Sequence, residues 1–218
     1  MSEYSGHVDP GGPAATRELA GLTITKVSVG PMDNNAYLLR DRATGETLLI
    51  DAANDADTLL ALVPESGLGT IVTTHRHGDH WQALKAGAKA TGAKTIAHPE
   101  DADVLLVPPS DEVNEGDTIR FGRTELGVIH LVGHTPGSIA LLYRDPEGSP
   151  HLFTGDSLFP GGPGKTTNPA DFNSLMDDLE SKVFGQLPDD TWIYPGHGDD
   201  TTLGAERPSI PDWRARGW

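Results

Sequence analysis

Thr73-Thr74-His75-Arg76-His77-Gly78-Asp79-His80 sets three histidines and a carboxylate within six residues. It continues Thr70-Ile71-Val72-Thr73, a β-branched run that reads as a buried strand, and Gly78 with its polar neighbours reads as a loop at the C-terminal end of that strand. Neutral imidazole and carboxylate suit zinc and the neighbouring first-row metals. Alternate residues of an extended segment share a face, so His75 and His77 point at one ion together while Asp79 and His80 turn toward a second position. With nine histidines in 218 residues, so dense a cluster is a poor candidate for a chance surface loop. The stretch reads as a metal site.

Outward from it, the chain is long enough to bury a sizeable core as a single domain. Residues 1–20, with Pro10, Gly11, Gly12 and Pro13, read as a flexible arm, and 21–218 as one domain. Alternating or β-branched runs predict strands at 22–29, 35–40, 47–50, 94–97, 117–121, 125–131, 139–143, 151–153 and 191–194. Helices are predicted at 55–63, capped by Asp55 and stopped by Pro64, at 81–90, ended by Gly92, and at 171–184, where Phe172, Leu175, Leu179 and Val183 fall at core spacing. A polar tail follows. Strands and helices in this order fit two sheets packed between outer helices.

The composition is acidic, with 16 basic against 32 acidic side chains and a formal charge of −16. Such a surface repels polyphosphate and anionic membranes, so neither nucleic acid nor a membrane is an expected partner. There is no cysteine, which excludes disulfides and thiolate ligands. No leader-like apolar run follows Met1 and no stretch has the length of a membrane span, so the expectation is a cytoplasmic protein.

Three more motifs follow the first: Gly133-His134-Thr135-Pro136-Gly137-Ser138, Phe153-Thr154-Gly155-Asp156-Ser157-Leu158-Phe159 and Tyr194-Pro195-Gly196-His197-Gly198. Together, in this order, the four resemble the signature of the metallo-β-lactamase-fold hydrolases. Their wording is most similar to the glyoxalase II group of hydroxyacyl-thiol hydrolases, in its short single-domain form. The resemblance implies an α+β fold, a four-layer αββα sandwich with the metals at the rim between the two sheets, and no separate C-terminal helical domain. It implies that His75, His77 and His134 hold one ion, that Asp79, His80 and His197 hold the other, and that Asp156 bridges them. Asp51, ending a Leu-Ile-Asp run, recurs near the cluster without being a usual ligand. Asp156 stands where the lactamases of the family place Cys or Ser, which argues against β-lactamase activity.

Two divalent ions, with Zn2+ expected first and Fe or Mn as alternatives, would lie about 3.5–4 Å apart and share a hydroxide able to attack a small acyl thioester. Asp79 would orient that hydroxide as well as ligate. A thiolate leaves without a strong acid, although Tyr194 is a candidate one. The 159–167 loop is the expected substrate-facing segment, and Lys165 its candidate contact to a substrate carboxylate, while Arg207, Arg214 and Arg216 read as surface residues. His98 and His130 read as core or supporting histidines, and His7 and His151 as exposed. A lactonase or other ester hydrolase of the same fold would use the same residues. A persulfide dioxygenase would use a single iron on His75 or His77, His134 and Asp156. A non-catalytic metal-binding module is a third alternative.

Overall fold

The computed structural model describes residues 4–217. A seven-stranded sheet runs in chain order through β1 (Ala15–Glu18), β2 (Leu22–Val29), β3 (Asn34–Asp41), β4 (Thr47–Ile50), β5 (Thr70–Val72), β6 (Lys94–Ala97) and β7 (Asp111–Glu112). Its first four strands are antiparallel, joined by short turns, and β4 to β7 are parallel. Parallel neighbours need crossovers. These carry α1 (Ala56–Leu62) between β4 and β5, α2 (Leu84–Thr91) between β5 and β6, and α3 (Pro99–Ala102) between β6 and β7.

The second sheet holds β8 (Thr118–Phe121), β9 (Thr124–His130), β10 (Ile139–Arg144) and β11 (Pro150–Gly155) as an antiparallel meander. A small hairpin of β12 (Leu158–Phe159) and β13 (Gly162–Pro163) follows, then α4 (Pro169–Asp178), β14 (Trp192–Pro195) beside β11 in parallel, and β15 (Thr201–Thr202) at the edge. The chain closes with α5 (Leu203–Glu206) and α6 (Ile210–Arg216).

Strand periodicity sorts the side chains into three apolar layers. On β2, Leu22 and Ile24 face the second sheet, where they join Leu126, Leu141 and Phe153. Val27 and Val29, of opposite parity, face Leu59 and Leu84 of the helices. Beyond the second sheet, Leu152 and Ile193 pack on Phe172, Leu175 and Trp213. Each fully buried Leu, Ile or Phe contributes about 1.5–3 kcal/mol. The order of layers is helix, sheet, sheet, helix, the αββα sandwich expected from the resemblance.

Local signals account for most element ends. Asp55 caps α1 by accepting the Thr58 amide hydrogen, and Gly92 ends α2 at φ 71°. The predicted 171–184 helix begins earlier, because the Asn168 side chain accepts the Asp171 amide and Pro169 fits the first turn. It continues past Asp178 as wider π turns, with Gly185 N–H bonding Glu180 O at 2.8 Å.

Two expectations need correction. The polar tail after residue 200 forms β15, α5 and α6, because Trp213 is buried and meets Phe184 across 6.1 Å. The first twenty residues, expected as an arm, contain β1 paired with β2, and Tyr4 and His7 bond Asp200 and Asp199 at the other end of the chain.

Candidate metal centre

Four loop segments converge at one rim of the sandwich. His75 and His77 leave the C-terminal end of β5, and Asp79 and His80 follow in a single 3-10 turn over Gly78–His80. On the other sheet β9, β11 and β14 run in one direction, so the loops after them bring His134, Asp156 and His197 to the same edge. Glycine allows the close approach, since a Cβ on Gly196 would collide with Asp156 Oδ1 and the His80 ring.

All seven residues expected as ligands are brought together. His75, His77 and His134 offer one set of donor atoms, Asp79, His80 and His197 a second, and Asp156 joins His75 and His80 in a third group that links the two, the atoms of each set lying within 4.8 Å of one another. His77 Nδ1 lies 2.9 Å from His134 Nε2 and His80 Nε2 lies 3.1 Å from His197 Nε2. Asp156 is 3.3 Å from His80 through Oδ1, and 3.6 and 3.4 Å from His134 and His197 through Oδ2.

The outer partners decide which ring nitrogen faces inward. His134 Nδ1 donates to Lys165 O at 2.7 Å and His197 Nδ1 to Met32 O at 2.8 Å, both carbonyls that only accept. His80 Nδ1 donates to Asp51 Oδ2 at 2.9 Å. Thr74 gives its hydroxyl hydrogen to Asp51, so its oxygen accepts from His75 Nδ1 at 3.0 Å. Each ring therefore turns its Nε2 toward Asp156. Histidines that ligate metals are held in this way, with the far N–H engaged by a carbonyl or carboxylate. Buried His75 Nε2 and Asp156 Oδ1 have no hydrogen-bond partner. Unpaired buried acceptors are costly, and a cation among them satisfies both. The donor set, all imidazole and carboxylate, fits divalent metal ions.

The electrostatics agree. Burial holds the His75 pKa well below the usual imidazole value, reinforced by nearby His80. Burial would raise Asp156, but the adjoining His197 and His80 rings outweigh it and keep the carboxyl well below its usual range. Burial would lower His80, yet Asp156 and Asp51 on either side raise it to about 10. A cation at His80 Nε2 would compete with a proton there.

A cleft of about 440 Å3 opens beside His134 and Asp156, walled by Phe159, the backbone of residues 161–164, Lys165 and Arg216. A larger cleft, about 580 Å3, lies elsewhere, between Gly21, Asp41 and Tyr143. None of the seven convergent residues lines it, and it plays no part here.

Lys165 stands at the expected cleft. Arg207 and Arg214 are engaged by Asp189 and by Asp177 and Glu180. Tyr194 is fully buried between the sheets with its hydroxyl on His151 and Arg17, which removes it as an acid at the metal centre. His151, expected to be exposed, is buried beside it because strand alternation turns it inward. His98 and His130 stack at 3.9 Å. With Glu100 they form another cluster of ligand type, but His98 Nδ1 accepts the Glu100 amide hydrogen. That leaves the His98 proton on Nε2, where a metal would have to bind.

Three supporting residues escaped sequence reasoning. Asn34 donates to Asp79 Oδ2 at 2.8 Å. Asp101 accepts from the Arg76 and Gly137 amides and the Thr135 hydroxyl, tying the His75–His77 loop to the His134 loop. Lys26 lies under the His197 loop. Only a lysine at an apolar-parity position of a strand could have signalled the last.

The sequence profile of the metallo-beta-lactamase superfamily matches residues 29–197. A hydroxyacylglutathione hydrolase of Polaromonas sp. is 39% identical over 166 residues, 75% of this chain and 62% of that protein. The chain thus spans less than two thirds of the length of such hydrolases. Among solved structures, the BLEG-1 B3 metallo-beta-lactamase superposes with a TM-score of 0.77 at 25% identity, covering 87% of this chain and 98% of that one. TTHA1623, crystallised in a di-iron-bound form, gives 0.71 at 35% identity, covering 86% and 98%.

Proposed function

The chain belongs to the metallo-β-lactamase superfamily, and from that premise we propose that it is a dinuclear metal hydrolase of small acyl thioesters, akin to the hydroxyacylglutathione hydrolases it resembles. The observation that carries this reading is the set of four Nε2 atoms, of His75, His80, His134 and His197, turned toward one carboxylate, Asp156, each ring fixed by a partner on its far side. His75, His77 and His134 would hold one ion, Asp79, His80 and His197 the other, and Asp156 would serve both. Zn2+ is the proposed metal, and the di-iron-bound relative makes iron its competitor. When bound, such ions make water a nucleophile at neutral pH and polarise the acyl carbonyl.

The remaining steps fall to side chains of the protein. Burial would raise Asp79, but the Asn34 amide and His80 hold it below its usual pKa. It is ionised at neutral pH and accepts a hydrogen bond from the attacking water, orienting it. The exposed Lys165 ammonium on the cleft wall pairs with a carboxylate on the thiol carrier. Phe159, its ring centroid 6.3 Å from that of His197, supplies an apolar wall. The departing thiolate, with a pKa of about 8.5, needs no general acid, consistent with Tyr194 lying away from the cleft.

The test is thiol release from a hydroxyacylglutathione and from a smaller acyl thioester, with a lactone and a β-lactam alongside. Release that stops on chelation and in His134→Ala is the expected result. A fully metal-loaded protein inert toward every acyl thioester would sink the proposal.

A further inference from the structure

β2 places Leu22, Ile24, Lys26 and Ser28 on one face, the face that packs on the second sheet. Lys26 therefore occupies a core position, and its side chain is fully buried, as is that of Asp200 opposite it. A buried ammonium is retained only when it is paired and every hydrogen is used. Here all three are used, by Asp200 Oδ1 at 2.7 Å, Gly198 O at 2.7 Å and Gly6 O at 2.8 Å. The other oxygen of Asp200 accepts from Tyr4 at 2.7 Å and Trp192 at 2.9 Å, so the network is closed.

Two of these contacts bracket His197. The Gly198 carbonyl, one residue beyond it, takes Lys26 and also the Asn35 amide at 2.9 Å. The Pro195 carbonyl, two residues before it, takes Asn35 and the Tyr37 hydroxyl. Asn35 N–H bonds Gly196 O at 2.8 Å. Side chains of the first sheet thus fix the loop that delivers His197 of the second sheet to Asp79 and His80. The Gly6 carbonyl brings the N-terminal segment into the same clamp, and Gly6 makes this approach possible, since a Cβ there would lie 2.8 Å from Asp200 Cβ.

We infer that Lys26 is a positioning residue for the metal centre, clamping the His197 loop so that the ion site of Asp79, His80 and His197 binds tightly while that of His75, His77 and His134 does not depend on it. The inference rests on the ligand assignment proposed above. The first group has its own tie, Asp101, which is remote from Lys26 in sequence and shares no partner with it.

The test counts metal ions per chain and measures Zn2+ affinity by chelator competition in Lys26→Met and in Lys26→Met/Asp200→Asn. The double variant removes both charges, so it avoids stranding Asp200 and remains informative where the single variant fails to fold. Asp41→Ala, which damages a buried network at another place, controls for loss of stability alone. The expected result is one tightly bound ion retained and the second weakened tenfold or more, with two tight ions in Asp41→Ala. Two ions held at wild-type affinity in the double variant would overturn the role of Lys26 and leave the ligand assignment standing. Metal content in His197→Ala equal to wild type would remove the assignment, and the inference with it.

Discussion

His80 Nδ1 donates to Asp51 Oδ2 at 2.9 Å, and the same carboxylate accepts the amide and hydroxyl hydrogens of Thr74 at 2.7 and 2.8 Å. Through Thr74 it also sets His75, so one side chain orients a histidine from each of the two groups. Asp51 sits at φ 57°, a conformation that Asn tolerates, so Asp51→Asn keeps the backbone and loses one acceptor. Zn2+ affinity should fall about 10–100-fold, as for other supporting partners of metal ligands. Chelator competition measures it, and an unchanged affinity would show that Asp51 supports the backbone alone.

Lys165 tests the substrate side. Lys165→Ala should raise KM for a carboxylate-bearing thioester about tenfold, the worth of a hydrogen bond to a charged group, with little change in kcat. For an uncharged acyl thioester both constants should stay as they are. Equal losses on both substrates would place Lys165 in the loop's structure and not in recognition.

At the opposite end of the sandwich, Asp41 on β3 accepts from Arg123 and Thr124 of the β8–β9 turn and from Ala43 and Thr44 of its own turn. Burial would raise its pKa, but the Thr44 and Thr124 hydrogen bonds outweigh it and hold the group at about 2. Asp41→Ala strands several donors in the interior and should cost about 2–4 kcal/mol. For a chain of this size that lowers the melting temperature by roughly 5–15 °C. Thermal unfolding measures it, and thioester hydrolysis at 25 °C should persist.

His151 links stability to pH. Burial and the Arg17 guanidinium lower its pKa from 6.5 to about 4. Between those values the unfolded chain binds a proton that the folded chain refuses, so stability is full above pH 6.5 and declines as the pH falls toward 4. Its share is on the order of 3 kcal/mol. His151→Gln, which cannot titrate, should show a shallower decline than wild type when chelator-treated proteins are unfolded in urea at pH 7, 5.5 and 4.5. Parallel declines would contradict the assignment.

The convergence of the seven histidine and aspartate residues was legible because they lie in four short motifs, each at a strand end beside glycine, where little but the motif itself decides geometry. The strands at 47–50 and 94–97 were read to the residue, since their ends coincide with turns and prolines or glycines. What lay outside the reading depends on contacts distant in sequence. Strand β1 has no alternation of its own and exists through pairing with β2. α6 is anchored by the single buried ring of Trp213. Lys26 and Asp101 gain their meaning from partners 172 and 34 residues away, which no local pattern announces. His151 was misjudged because a histidine at an inward strand position looks, in sequence, like any polar residue near a turn.

The central claim is that seven side chains hold two metal ions, and elemental analysis of protein purified without added metal tests it most directly. Close to two divalent ions per chain is the predicted result. No tightly bound metal, or a single ion per chain, would contradict it, and a single iron would turn attention from hydrolysis to the oxidative chemistry weighed as an alternative.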